Sequence, residues 1–193
     1  MLIRTTAPAS LATLLLPGVL SHLHLDADDG EVLPKVKAAV GALDGPKGRL
    51  RRCLLTQTWR LVLDAFPMEP EPLRLPLPPV ASVAGITYAD ADGATQTLPT
   101  SDYQVLGIGS DEASVIPARG KAWPQVVPWP ETVKVDFVTG YGTTSDSLPE
   151  PIVEAVKQLA AHLYVNRQAV DLTSMSEIPL GIRDLLAPYR VFV

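Results

Sequence analysis

Nineteen prolines in 193 residues set the strongest limit on what this chain can fold into. The proportion is about twice the ordinary usage of roughly 5%. A proline ring fixes φ and removes a backbone donor, so these residues are barred from helix interiors and from the middle of a sheet. They call for many edges, turns and helix first turns. Hydrophobic residues make up 47% of the chain and charged residues 19%. A disordered chain shows the reverse balance, so a folded core is expected. The length suits one domain, or one domain carrying a second small lobe.

The formal net charge is -5, from 16 Lys+Arg against 21 Asp+Glu. That excludes a protein whose whole surface coats nucleic acid, while leaving room for a local basic patch. The single cysteine, Cys53, excludes a disulfide framework within the chain and a zinc cage built on cysteines. The apolar run Leu11 to Leu20 behind Arg4 has the outline of a secretion signal. No small-x-small cleavage site follows it, and Pro17 and Gly18 interrupt it. No segment approaches the ~20 apolar residues that span a bilayer, so no membrane partner is expected.

The chain divides into three parts, predicted as a small bundle of about three to four helices with an inserted antiparallel β-sheet or sandwich, an α+β fold. Residues 1–55 are predicted helical. Asp28 and Glu31 have capping-box spacing, Val32, Val36, Val40 and Leu43 recur at helical spacing, and Pro34 must lie in the first turn. Asp44-Gly45-Pro46 ends that helix or interrupts it.

Residues 56–147 read as the β insertion. Trp59, Leu61 and Leu63 alternate with polar or smaller neighbours, as do Val133, Val135 and Phe137. Leu73, Leu75 and Leu77 flank Pro76, the mark of an edge strand. Val83, Ile86 and Tyr88 lead into Asp90-Ala91-Asp92-Gly93, a hairpin signal, and Tyr103–Leu106 and Val115-Ile116 are further short strands. Residues 148–193 return to helix. Ser147 and Glu150 suggest a capping box, Ile152, Val156, Leu159 and Leu163 form an apolar stripe, and a short helix around Ile182, Leu185 and Leu186 stops at Pro188.

Candidate chemistry is sparse. His22 and His24 would share a face on a strand, but no third metal ligand is near, and surface histidines are the simpler account. Asp26-Ala27-Asp28-Asp29-Gly30 hints at a calcium loop, yet Gly30 stands one place early for the EF-hand pattern, and a helix cap explains the acids. Gly107-Ile108-Gly109 is a fragment of a dinucleotide fingerprint without its third glycine or a following helix. Cys53 beside Arg52 is expected to be a buried structural thiol, and His162 a packing or interface residue. No Ser-His-Asp or Cys-His set can be assembled, so no catalytic residue, cofactor or metal is predicted. Lys47, Arg49, Arg51 and Arg52 are the one concentration of positive charge, either a solvated helix end or a phosphate contact.

Several stretches together resemble the phage head–tail connector (adaptor) proteins. They are His22-Leu23-His24-Leu25-Asp26-Ala27-Asp28-Asp29, Cys53-Leu54-Leu55-Thr56-Gln57-Thr58-Trp59 and the hairpin Ile86 to Leu98. Ala122-Trp123-Pro124, Phe137-Val138-Thr139-Gly140-Tyr141-Gly142 and His162-Leu163-Tyr164-Val165-Asn166-Arg167 continue the series. Ile178-Pro179-Leu180-Gly181 and Leu185-Leu186-Ala187-Pro188-Tyr189-Arg190 match the C-terminal signature. The resemblance runs from about Leu20 onward. Leu43-Asp44-Gly45 and Arg52-Cys53 look closest to the adaptors of gene transfer agents, domesticated phage-like particles. Pro46 departs from the pattern, since relatives usually continue a helix there.

The resemblance implies a structural protein, made in the bacterial cytoplasm and built into a virion or gene transfer agent particle at the head–tail interface. It implies a homo-oligomeric ring, commonly of twelve subunits, with helices side by side beneath the portal protein. The ring would extend the DNA channel and carry the stopper and tail proteins. By the same likeness, Leu185, Leu186, Pro188, Tyr189, Arg190, Val191, Phe192 and Val193 would engage the portal. In such a ring Lys47, Arg49, Arg51 and Arg52 would line the bore and touch packaged DNA non-specifically. Two alternatives of other classes are a small soluble enzyme and a β-rich module that binds carbohydrate or peptide. The module would use Trp123 and Trp129 among Pro124, Pro128 and Pro130.

Overall fold

The computed structural model describes residues 1–68, 71–127, 129–166 and 180–191. Contacts divide the chain into two compact units, one of Met1–Ala7 with Thr56–Tyr141 and one of Pro8–Leu55 with Gly142–Val193. The fold is α+β, with four α-helices and two antiparallel sheets among the described residues.

The first unit is β. It opens with β1 (Leu2–Thr6), a strand where the sequence pointed to helix. All its residues but Leu2 are exposed, so it carries no apolar alternation to betray it. The other strands are β2 (Gln57–Leu63), β3 (Leu73–Arg74), β4 (Val80–Ala89), β5 (Thr95–Thr97), β6 (Tyr103–Leu106), β7 (Ser114–Pro117) and β8 (Val133–Thr139). Five of them form a sheet in the order β1-β2-β8-β4-β5, and three form a second in the order β3-β7-β6.

The register explains the core. On β8 every second residue, Val133, Val135, Phe137 and Thr139, is buried. Trp59, Leu61 and Leu63 of β2 pair with Phe137, Val135 and Val133. On the other side Val83, Ile86 and Tyr88 of β4 pair with the same three residues. Partners across a ladder share a face, so these nine side chains form one apolar surface. The three-residue step from Val83 to Ile86 would break alternation in a regular strand. A bulge between Val83 and Gly85 takes up the extra residue and returns Ile86 to the core face.

The prolines at and beside the smaller sheet fall where their missing donor costs little. Leu73, Leu75 and Leu77 are buried; Leu73–Arg74 pair with β7 at the edge of the smaller sheet, and the Leu75 N–H donates to the Ala113 carbonyl beside them. Pro117 ends β7 beyond the two residues, Ser114 and Val115, that pair with β3. The Thr139 hydroxyl shares its one proton between the carbonyls of Leu77 and Pro79, tying the proline-rich segment to β8. At the β4–β5 turn, Asp90 accepts from the backbone N–H groups of Asp92 and Ala94 and from the Gln96 amide. The Gln96 bond and then the Ala94 bond hold its carboxyl below the usual carboxylate range.

The second unit is helical: α1 (Leu11–His22), α2 (Val32–Leu43), α3 (Glu150–Val165) and α4 (Leu180–Leu186). The first three pack on one another, and α4 packs on α3. Ser10 caps α1, its hydroxyl accepting from the Thr13 N–H at 3.4 Å. The helix runs unbroken through Pro17 and buries Leu11, Ala12, Leu15 and Val19.

The capping boxes are replaced by other devices. Asp28 accepts from the N–H of Val32 at 3.1 Å and Asp29 from that of Glu31 at 2.9 Å, whereas Glu31 itself makes no side-chain cap. Pro34 lies in the first turn of α2, and Val32, Val36, Ala39 and Leu43 form its buried stripe, with Ala39 in place of the expected Val40. At α3 the N-cap is Pro149, while Ser147 belongs to a short 3₁₀ turn, Ser145–Ser147. The expected stripe on α3 widens to Ile152, Val153, Ala155, Val156, Leu159 and Ala160, because α1, α2 and α4 all cover it, while Leu163 near the helix end is only half-buried.

Candidate partner-binding surface

The basic stretch and the C-terminal segment, far apart in sequence, meet in the helical unit. After the Asp44 C-cap the chain doubles back along the end of α2. The N–H groups of Arg49 and Leu50 donate to the carbonyls of Ala42 and Leu43, and Gly45 donates to the carbonyl of Arg52. The Asp44 carboxylate accepts from the Leu54 N–H at 2.8 Å. The Arg49 and Leu50 bonds satisfy carbonyls that the C-terminus of α2 leaves open. The approach is so close that a Cβ on Gly48 would lie 2.3 Å from the Leu43 carbonyl oxygen, so only glycine fits. Pro46 therefore stands in this fold-back, after α2 has ended.

The four cations separate here. Lys47, Arg49 and Arg51 are exposed, and Arg51 holds a left-handed φ of 52°. Arg52 is only 3% exposed. Its guanidinium Nε donates to the Tyr189 carbonyl at 2.6 Å. In return the Val191 N–H donates to the Leu50 carbonyl at 3.1 Å. Arg52 therefore anchors the C-terminal segment, and three cations, not four, remain on the surface. A charged side chain in a basic run looks solvent-facing. The available signal was its position directly before the apolar Cys53-Leu54-Leu55.

The C-terminal segment is partly absorbed into the fold. Ile182 and Leu186 of α4 are buried, Leu186 at 6% exposure. Leu185, Tyr189 and Val191 are half-buried, and Pro188 and Arg190 are exposed. Phe192 and Val193 lie outside the described residues. Replacing Arg52 by Met keeps the stem and removes the donor. The expected cost is about 2 kcal/mol, the order of a hydrogen bond to a charged group. Limited proteolysis should then cut first near Tyr189, and wild-type resistance would show that the contact does not hold the segment.

His22 and His24 are exposed, and no cluster of three or more His, Cys, Asp or Glu is placed for a metal among the described residues. Gly107 and Gly109, both at positive φ, form the β6–β7 turn, with no helix behind them to receive a phosphate. Cys53 is fully buried. His162 is exposed on α3 beside Asn166. The two tryptophans of the binding-module alternative have different surroundings. Trp123 stacks on Phe66 with centroids 4.7 Å apart, while Trp129 is 71% exposed at a cleft of about 300 Å³ that also takes Tyr88, Glu131 and Lys134.

No protein-family model and no curated protein matches the chain. Solved structures do. The whole chain is similar to a chain in the virion of a native gene transfer agent particle, at 27% identity and a TM-score of 0.77, covering 96% of that chain. It is similar to a chain in the neck of the native particle computed with C12 symmetry, at 26% identity and a TM-score of 0.75. A chain in the neck of the empty particle computed with C6 symmetry gives 26% and 0.76. Both cover 100% of this chain and 96% of theirs. The likeness extends through both units and supports a structural component of a particle of this kind.

Proposed function

We propose that this protein is the head–tail adaptor of a gene transfer agent or tailed phage particle. It forms a ring beneath the portal, extends the DNA channel and carries the stopper and tail. The observation that carries this reading is the end-to-end likeness to chains of gene transfer agent necks. A ring of twelve would match the C12 symmetry of one of those necks. The C-terminal segment supplies the portal contact, through Pro188, Tyr189, Arg190 and the residues after them. Its aromatic and arginine side chains suit an anchor in a partner's pocket. Quantitative mass spectrometry of purified particles tests the reading. The chain should be present in a fixed ratio to the portal protein, and its absence from particles would overturn it.

In this reading the exposed Lys47, Arg49 and Arg51 line the bore, where a ring multiplies one modest patch into a positive band. Particles with all three changed to Gln are expected to retain less DNA. Duplex binding by the assembled ring should lose about 0.9 of its log–log salt slope per contact removed. Equal DNA content with an unchanged slope would end the channel role.

A further inference from the structure

The larger sheet ends at β1 on one side and β5 on the other. The two edges are unlike. Strand β1 carries Arg4 and an irregularity between Arg4 and Thr6, devices that discourage a further strand. Strand β5, Thr95-Gln96-Thr97, is exposed throughout and has no charge, proline or bulge. Its ladder with β4 reaches from Ala94 to Leu98. The Asp90 N–H donates to the Ala94 carbonyl at 2.9 Å, and the Leu98 N–H to the Ile86 carbonyl at 2.9 Å. In an antiparallel ladder, bonded pairs alternate with unbonded ones. Thr95 opposite Ala89 and Thr97 opposite Thr87 fall on the unbonded places. The N–H and C=O groups of Thr95 and Thr97 therefore point away from β4.

The Trp129 cleft opens beside this edge. Thr97, Thr87 and Lys134 are partners across the sheet and share a face, and Thr87, Thr95 and Lys134 line the cleft. Trp129 is exposed, yet its loop is fastened to its surroundings. The Val127 N–H donates to the Ala89 carbonyl at 3.4 Å and the Ala89 N–H to the Thr132 carbonyl at 3.1 Å. The Glu131 N–H donates to the Asp64 carboxylate at 2.9 Å. Glu131 and Lys134 both line the cleft, and neither makes an ion pair among the described residues.

We propose that β5 and the Trp129 cleft take up an extended segment of a partner protein as an antiparallel sixth strand. The backbone selects that occupant. Donors and acceptors two residues apart, about 7 Å, match another extended chain and not a small molecule. A residue facing Thr95 or Thr97 exchanges bonds with it and places its side chain on the cleft face. A cation there meets Lys134 and an anion meets Glu131, so that side chain is uncharged. An aromatic ring stacks on Trp129, and a tyrosine adds a hydroxyl that can donate to Glu131.

Selection of randomised linear peptides on the purified full chain, followed by titration of the best synthetic peptide, decides it. The recovered peptide should carry an aromatic residue within an uncharged, β-branched run. N-methylation should weaken binding about tenfold or more at every second amide and leave the amides between without effect, the mark of an added strand. Thr97→Pro removes an outward donor and keeps the Ala94 and Leu98 bonds to β4. It and Trp129→Ala should each weaken binding about tenfold or more. Both residues are exposed, so the thermal midpoints should stay near wild type. Recovery of no peptide, binding without the two-residue period, or equal binding to both variants would overturn the inference. Self-association of the chain alone that Thr97→Pro abolishes would make a second copy the occupant and overturn the assignment of a partner protein. The measurement uses the isolated chain, so it stands or falls separately from the adaptor proposal.

Discussion

Deleting Tyr189 to Val193 is expected to yield filled or empty heads that lack tails. The segment is the proposed portal anchor, and an adaptor without its anchor cannot join the head to what lies below. The deletion also removes the Tyr189 carbonyl that accepts from Arg52, so part of its effect would be a loosened helical unit. Tyr189→Ala separates the two. It keeps the backbone acceptor and removes only the half-buried ring. Tailed particles should fall at least about tenfold, as a lost interface hot spot of ~2 kcal/mol implies, with a small change in melting temperature. Normal numbers of tailed particles from both variants would contradict a portal contact at this end of the chain.

Phe137→Ala is expected to be the most destabilising single truncation in the β unit. Phe137 is fully buried in β8 and is paired with Trp59 of β2 on one side and Val83 of β4 on the other. Removing the ring opens a cavity between three strands that backbone pairing prevents from closing. The cost is about 4 kcal/mol, or roughly 10 °C in the midpoint of a protein this size. A loss below about 1 kcal/mol would mean that the core of the larger sheet lies elsewhere.

Much of this fold could be read from the sequence, and the exceptions have physical causes. The β8 alternation, the β4–β5 hairpin and the α3 stripe follow from side-chain periodicity, which burial on one face imposes. The strand β1 escaped because an exposed edge strand imposes no periodicity. The bulge in β4 showed only as an odd three-residue step. Ser147 and Glu150 have the spacing of a capping box, but Pro149 takes the N-cap place.

The candidate surface was legible in its location but not in its division of labour. The basic stretch and the C-terminal segment were both singled out from sequence. Their contact through Arg52, Leu50, Tyr189 and Val191 joins residues more than 130 positions apart and leaves no local pattern. Trp123 and Trp129, six residues apart among prolines, looked equivalent. Only Phe66, distant in sequence, separates a stacked ring from an exposed one.

The central claim is a position in a particle, and electron microscopy of purified particles with a gold-labelled antibody against this protein tests it most directly. The adaptor account predicts label at the single vertex where head meets tail and nowhere else on the shell. Label spread over the capsid or along the tail, or unlabelled particles with the protein free in the lysate, would contradict it.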